Sequence, residues 1–340
     1  MRPLLIALSA LLLVAGLAAL WLYRTALAAL DAPLTIEQAT VFAIEPGSSM
    51  GTVSAALEEQ GLIEDGRPLY WYARLTDRAR LLRAGEYELT PELSGRDLLE
   101  RFVSGDVLLH GVTFIEGWTA AEAIAAVQAH EAVRPALDPA DPAAILAALG
   151  ADEGHIEGLF FPSTYRFPRG SSDLDILRQA YALMRSELAA AWDERREPLP
   201  FDTPYQALIL ASIIEKETGR ADEREQIAGV FVRRLQRGMR LQTDPTVIYG
   251  IGPEFDGNIR RRDLTRDTPY NTYTRGGLPP TPIALSGRES MRAAVTPADG
   301  DTLYFVATGE PDGSHYFSRT LDEHEAAVRR YLVRLRQSRR

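Results

Sequence analysis

The longest apolar stretch of the chain lies at its N-terminus, over residues 4–23. Twenty residues of α-helix span about 30 Å, which is the thickness of the hydrocarbon core of a bilayer. Trp21 and Tyr23 stand where interfacial aromatic side chains are common, and Arg24 follows them. The pattern therefore predicts a single N-terminal transmembrane helix, with a cytoplasmic tip and the span together occupying residues 1–24.

A cleaved signal peptide is the alternative interpretation of this segment, because Ala26 and Ala28 offer small residues at a cleavage site. The apolar stretch is long for a signal peptide, and its aromatic exit suits an anchor, so the sequence favours a retained helix. If the N-terminus stays in the cytoplasm, either interpretation sends the remainder of the chain across the membrane.

The pattern after the apolar stretch is typical of a short helical stalk at residues 25–38 and a compact α/β module at residues 39–105. The order of elements predicted in the module is strand, helix, helix, strand and helix. The first four of these elements, in the order strand, helix, helix and strand, resemble a LysM module, which is a small carbohydrate-binding fold. A generic α/β connector without a ligand is the alternative.

Residues 106–340 are predicted to form a larger domain in which helices and strands do not alternate regularly. Strands are indicated at 112–115 and 303–307, a long amphipathic helix at 174–195, and a final helix from residue 321. Further helices are predicted at 119–130, within 135–150, from residue 204 and over about 221–236. The segment at 157–167 and several segments between 236 and 303 are predicted as loops. The fold class expected for the chain is therefore α+β, with a mixed α+β catalytic domain following the membrane helix and the small module.

Composition narrows the range of functions. The formal net charge of −10 argues against a nucleic-acid partner, because binding phosphates needs a basic surface. The chain has no cysteine, which excludes disulfides and thiolate metal sites, and its five histidines show no metal-binding spacing. Motifs for nucleotides or for a serine nucleophile are absent from the sequence. We therefore expect neither a metal nor a cofactor.

Carboxylates follow the most apolar helix of the larger domain. Thr203 is a helix cap, Pro204 suits the first turn, and the next ten residues are apolar on nearly all sides, which predicts a buried helix. The helix runs directly into Glu215 and Glu217, and burial would raise the pKa of a carboxyl group towards that of a general acid. Periodicity does not distinguish the two glutamates. Ion pairing with neighbouring basic residues (Lys216, Arg220, Arg224) is the alternative role for both.

Three segments rich in aromatic, amide and hydroxyl groups suit a sugar polymer, because flat rings pack on sugar faces and amides bond sugar hydroxyls. They are EGLFFPSTYRF at 157–167, GMRLQTDPTVIYG at 238–250 and TPYNTYTRGGLPPTPI at 268–283. Well-packed turns are the alternative for each of them. The substrate-binding residues predicted from these segments are Gln242, Thr243, Asp244, Tyr249, Tyr270, Asn271 and Tyr273.

The last two of these segments, together with ASIIEKET at 211–218 and GVFVRRL at 229–235, closely resemble the MltG/YceG family of endolytic murein transglycosylases. The resemblance implies an enzyme of the bacterial inner membrane, with a cytoplasmic N-terminus and a periplasmic C-terminal domain. Its substrate would be the glycan strand of nascent peptidoglycan, cleaved between N-acetylmuramic acid and N-acetylglucosamine to leave 1,6-anhydro ends. Such an enzyme would terminate glycan elongation, with peptidoglycan synthases (penicillin-binding proteins) as candidate partners.

The resemblance also assigns roles to residues. The catalytic glutamate of the family falls on Glu217, while Glu215 and Thr218 are predicted to support it. We expect Glu217 to protonate the leaving oxygen and then to take the proton of the muramyl C6 hydroxyl. A non-catalytic, membrane-anchored scaffold that binds glycan for cell-wall synthases is the rival hypothesis, and a hydrolytic muramidase is a third.

Overall fold

The first helix, α1 (Arg2–Leu30), contains the predicted membrane-spanning segment. The structure, a computed structural model, describes residues 2–338. Within α1, Ser9–Leu30 is long and apolar enough to cross a membrane, which confirms the predicted N-terminal apolar helix. The helix continues past Tyr23 through part of the predicted stalk, and Leu30 at its end is only 2% exposed.

The chain divides into two compact units, which are described separately. The first comprises the residues up to His110 together with Arg166–Gly170. The second comprises Gly111–Tyr165 and the residues from Ser171 onwards. The chain passes between them along two paired strands, β3 (Leu109–Thr113) and β4 (Thr164–Pro168).

The first unit is built on an antiparallel pair of strands covered by helices. Its elements beyond α1 are β1 (Thr40–Ile44), α2 (Met50–Glu59), α3 (Arg67–Leu75), β2 (Gly85–Leu89) and α4 (Gly95–Ser104). Phe42 pairs with Tyr87 across the strands, and both side chains meet Phe102 of α4 in the core. Leu30 belongs to the same core, so α1 is part of this unit. The predicted order of elements is confirmed.

The second unit packs four of its helices around one buried helix. Its helices and strands beyond β3 and β4 are α5 (Ala120–Gln128), α6 (Pro142–Leu149), α7 (Asp173–Asp193), α8 (Pro204–Glu217), α9 (Arg224–Gln236), α10 (Asp244–Ile251), α11 (Arg261–Thr265), α12 (Arg288–Val295), β5 (Tyr304–Ala307), β6 (His315–Ser318) and α13 (Leu321–Ser338). Helix α8 packs against α7, α9, α10 and α12, and its residues from Ala207 to Ile214 are all buried. The buried helix and the mixed α+β class are confirmed.

Several segments predicted as loops form regular structure instead. The short helices α10, α11 and α12 and the strand β4 lie in such segments, while β6 lies where no element is predicted. The strand predicted at 112–115 is β3, which ends at Thr113. Helix α10 begins with Pro245 in its first turn, where proline is tolerated because that N–H has no partner inside the helix. Pro245, in a segment predicted as a loop, therefore lies in the first turn of a helix.

Candidate active site

Helix α8 carries Glu217 to its position because both ends of the helix are fixed. At the start, the Thr203 hydroxyl accepts a hydrogen bond from the Gln206 N–H, and the Gln206 side chain accepts one from the Thr203 N–H, which forms a capping box. In the middle, the buried Ser212 hydroxyl accepts a hydrogen bond of 3.0 Å from the N–H of Ile283, tying the helix to the proline-rich segment. The helix ends at Glu217 because the next residue, Thr218, is extended.

The Glu217 carboxyl group is half-buried and faces a hydroxyl group from another element. The Thr243 hydroxyl donates a hydrogen bond to its Oε1. Burial raises the pKa of Glu217 to about 7, and the nearby charge of Asp244 acts in the same direction. The hydrogen bond from Thr243 favours the charged form and so lowers this pKa, but burial outweighs it. Near neutral pH the group can therefore both release and accept a proton.

Glu215 has different surroundings. Its side chain is 6% exposed, accepts a 2.9 Å hydrogen bond from the N–H of Gly287, and lies 4.0 Å from the Arg224 guanidinium. Lys216 instead donates to the carbonyl of Gly117. The ion pairing considered as an alternative for both glutamates thus applies to Glu215 alone. Glu215 attaches α8 to the start of α12, while Glu217 points into open space.

That open space is a cavity of about 540 Å³ in the second unit. Five of the predicted site residues line it together: Glu217, Gln242, Thr243, Asp244 and Tyr273. The rest of its wall comes mainly from α9, β5, β6 and α13, and comprises Phe231, Arg234, Leu241, Tyr304, Phe305, Val306, Ala307, His315, Leu321 and His324. The cavity thus combines one carboxyl group of raised pKa with aromatic rings, an amide and a phenol.

The segment before α10 has an unusual backbone at the cavity wall. Gln242 has a φ of 51°, in the left-handed region that few residues other than glycine adopt. Its N–H donates to the Thr272 carbonyl at 3.2 Å, and the next N–H, of Thr243, donates to the Thr272 hydroxyl at 3.1 Å. On the same wall, the Tyr273 hydroxyl donates to Asp244 at 2.6 Å. These contacts fix the direction of Thr243 and hold Asp244.

Three of the predicted substrate-binding residues, Tyr249, Tyr270 and Asn271, lie away from the cavity. Asn271 is 1% exposed; its Nδ2 donates to the carbonyls of three residues (Asp263, Leu264, Arg266), and its Oδ1 accepts from the Tyr273 N–H. Tyr249 donates to the buried Glu157 at 3.1 Å, and the Tyr270 hydroxyl lies 2.8 Å from that of Thr281. The polar groups of these residues are used within the fold, so the geometry favours a supporting role for them.

Sequence reasoning missed four polar side chains of the cavity wall, which are those of Arg234, Tyr304, His315 and His324. The Arg234 side chain is buried and donates to the carbonyls of Leu303, Arg240 and Leu241, while burial lowers its pKa. His315 Nδ1 lies 2.7 Å from a carboxylate oxygen of the buried Glu223. The adjacent arginines of GVFVRRL are a signal for Arg234, because a charged residue on a buried helix needs partners. An isolated histidine gives no such signal.

The chain is similar in sequence to known proteins. The sequence model of the YceG-like family matches residues 42–330. An endolytic murein transglycosylase of Bacillus subtilis is 28% identical over 306 residues, covering 85% of this chain and 84% of the relative. One of Streptococcus pneumoniae is 27% identical over 323 residues, and the aligned part spans 58% of that longer relative.

A solved structure is similar as well. The crystal structure of a YceG-like protein from Listeria monocytogenes matches with a TM-score of 0.52 and 30% sequence identity, covering 86% of this chain and 99% of that one. The family match extends over most of the first unit and nearly all of the second, and includes every residue of the cavity wall. The chain belongs to the YceG-like family.

Proposed function

We propose that this protein is an endolytic murein transglycosylase that cleaves peptidoglycan strands with Glu217 as its one acid–base group. The observation that carries the proposal is the carboxyl group of Glu217, whose pKa of about 7 is raised by burial, at the wall of a cavity of about 540 Å³. The relatives from Bacillus and Streptococcus bear the name of this activity. Membership of the family and the geometry of the cavity thus support the same reaction class.

The proposed reaction needs a single carboxyl group. Protonated Glu217 gives its proton to the glycosidic oxygen between N-acetylmuramic acid and N-acetylglucosamine as the C1–O bond breaks. The muramyl C6 hydroxyl then attacks C1, and its proton passes to the Glu217 carboxylate, which restores the acid. The product has a 1,6-anhydro ring at the new end, and no water is consumed. A pKa near 7 suits both steps, because the protonated and the charged forms of Glu217 are both populated at neutral pH.

The remaining groups of the cavity hold the substrate in this scheme. Gln242 is exposed and offers an amide for sugar hydroxyls or acetamides, while the phenol of Tyr273 and the carboxylate of Asp244 form one connected polar edge. Thr243 orients Glu217 through its hydroxyl group. Thr218 accepts a 3.0 Å hydrogen bond from the Arg220 N–H and so supports the end of α8.

The location proposed for the enzyme follows from α1. We propose that α1 is retained as a single-pass anchor of the inner membrane, with the N-terminus in the cytoplasm. The rest of the first unit and the whole second unit would lie in the periplasm, where glycan strands are made. We also propose that the first unit, with its strand–helix–helix–strand order, contains a LysM-like module. Peptidoglycan synthases are the proposed partners. In this arrangement the enzyme cuts new strands close to the membrane and ends their elongation.

Product analysis tests the proposed reaction. Purified protein is incubated with peptidoglycan strands, and the new ends are identified by mass spectrometry. We expect 1,6-anhydro ends from the wild type and from the control Glu225→Gln, whose side chain is exposed on α9. The Glu217→Gln variant is expected to fold and to bind glycan without cleaving it. Reducing ends would indicate hydrolysis, and binding without cleavage by the wild type would favour the scaffold.

A further inference from the structure

One face of the first unit is both apolar and basic. On α3, Trp71 is 55% exposed and Leu75, one helical turn later, is 82% exposed; Leu81, in the turn that follows, is 50% exposed. A soluble surface seldom shows large apolar side chains in such a group without a partner. We call Trp71, Leu75 and Leu81, together with the five arginines of residues 67–83, the α3 surface.

The charge of the α3 surface is opposite to that of the unit around it. Residues 25–110 contain fourteen acidic residues but only seven arginines and no lysine, and five of those arginines (Arg67, Arg74, Arg78, Arg80, Arg83) lie in residues 67–83. Three of the five form ion pairs with carboxylates: Arg67 with Asp65 at 2.8 Å, Arg78 with Glu100, and Arg80 with Asp77. Arg74 instead contacts the Tyr70 hydroxyl at 2.9 Å, and Arg83 is exposed. The basic residues are thus concentrated around the exposed apolar side chains.

The position of this surface along α1 indicates its partner. Helix α3 packs against α1, and the α1 residues that turn towards the unit are Leu27, which is half-buried, and Leu30, which is buried. These residues are about 6–10 Å along the helix axis from Tyr23. Trp21, Tyr23 and Arg24 mark the level at which a spanning helix leaves the hydrocarbon core. Pro68 and Leu69 of α3 line one pocket with Ala29 and Leu30, so α3 begins near the depth of the lipid headgroups when α1 spans a bilayer.

We propose that the α3 surface docks on the membrane, with Trp71 and Leu75 inserted among the lipids and the neighbouring arginines on anionic headgroups. Tryptophan, leucine and arginine on one short helix are the composition that binds the interface of an anionic bilayer. The first unit would then contact the membrane at two places, the anchor and this surface. The inference rests on the proposed anchoring by α1 but not on the activity of Glu217.

The absence of cysteine from the chain allows a direct test. A nitroxide label is attached to the full-length protein at a single cysteine, introduced as Leu75→Cys, as Leu13→Cys in the middle of α1, or as Val41→Cys. Val41 is the matched control, because it is 51% exposed in the same unit but lies on β1. Each protein is placed in lipid nanodiscs, either anionic or zwitterionic, and the accessibility of the label to oxygen and to a water-soluble nickel complex is compared.

We expect the Leu13 label to lie in the hydrocarbon core and the Leu75 label to lie at the interface of anionic nanodiscs. The Val41 label should remain in water. The interfacial signal at Leu75 should fall in zwitterionic nanodiscs, and in anionic ones when Arg74→Gln and Arg83→Gln are combined. A Leu75 label as accessible to nickel as that at Val41 would overturn the proposal, as would a Leu13 label in water. Protection of the Leu75 label only after glycan strands are added would identify the surface as a sugar-binding site instead.

Discussion

The hydroxyl group of Thr243, at the start of α10, donates a hydrogen bond to the carboxylate of Glu217, at the end of α8. The same hydroxyl makes no capping bond to its own helix, so it is available for this contact. Burial favours the neutral form of Glu217, while the hydrogen bond favours the charged form. The pKa of about 7 is the balance of this hydrogen bond against burial and the nearby charge of Asp244.

Removing the hydroxyl group should shift this balance. In Thr243→Val the hydrogen bond that lowers the pKa of Glu217 is lost, so the pKa rises above its wild-type value of about 7. Because the protonated form starts the reaction, the fall of kcat/KM at high pH should move to higher pH. Thr243→Ser keeps the hydroxyl group and should retain the wild-type profile. The same profile for the valine variant and wild type would contradict this coupling.

The stability of the second unit should also depend on Glu217. The folded-state pKa of about 7 lies above the value of 4.5 for a free glutamate side chain, so the contribution of this group to stability is fully present below about pH 4.5 and is lost as the pH rises through 7. Glu217→Gln has no such dependence. The variant should therefore gain about 1–3 kcal/mol in free energy of unfolding relative to wild type between pH 4.5 and pH 8. Urea unfolding at the two pH values measures the difference, and a gain independent of pH would refute it.

The two glutamates of α8 should respond differently to the same substitution. We expect Glu217→Gln to reduce kcat by about 10²–10⁴-fold, as the loss of a general acid does. Glu215→Gln removes a charge beside Arg224 but leaves an oxygen for the Gly287 N–H, so the loss should appear mainly as lower thermal stability. Initial rates of strand cleavage and melting curves separate the effects. Near-normal cleavage by Glu217→Gln together with none by Glu215→Gln would reverse the assignment.

Asn271 should contribute to stability rather than to substrate affinity. Its buried amide satisfies three backbone carbonyls and one N–H, and Asn271→Ala leaves them without this partner. We expect the free energy of unfolding to fall by about 2–4 kcal/mol, with little change in KM for the folded fraction. Asn258→Ala, at an exposed asparagine, is the matched control. A raised KM without loss of stability would instead place Asn271 at the substrate.

Local signals in the sequence were sufficient for the elements on which the site is built. The cap at Thr203, the proline after it and the unbroken apolar run predict α8 and its burial, because each signal acts within a few residues. Such local signals do not distinguish Glu215 from Glu217. The difference between them depends on Thr243 and Gly287, which are distant in sequence and reach the glutamates only through the packing of α10 and α12.

The roles of the polar loop residues were the least predictable part of the site. Asn271 and Tyr273 have similar chemistry and are two positions apart, yet the first is buried in its own loop and the second lines the cavity. Arg234 was not predicted because its partners are backbone carbonyls of Leu241 and Leu303, and a carbonyl leaves no trace in the identity of its residue. Which side of a loop faces the cavity is set by such contacts.

Helix α1 runs without a break from its apolar segment into the core of the first unit, where Leu30 is buried. Its 29 residues make a rod of about 44 Å, which is longer than the hydrocarbon layer of about 30 Å. A rod of this kind adapts to a thinner or thicker bilayer by changing its tilt. In the proposed anchored state α1 would act as a lever as well as a tether, turning the first unit through the same angle whenever the thickness of the membrane changes.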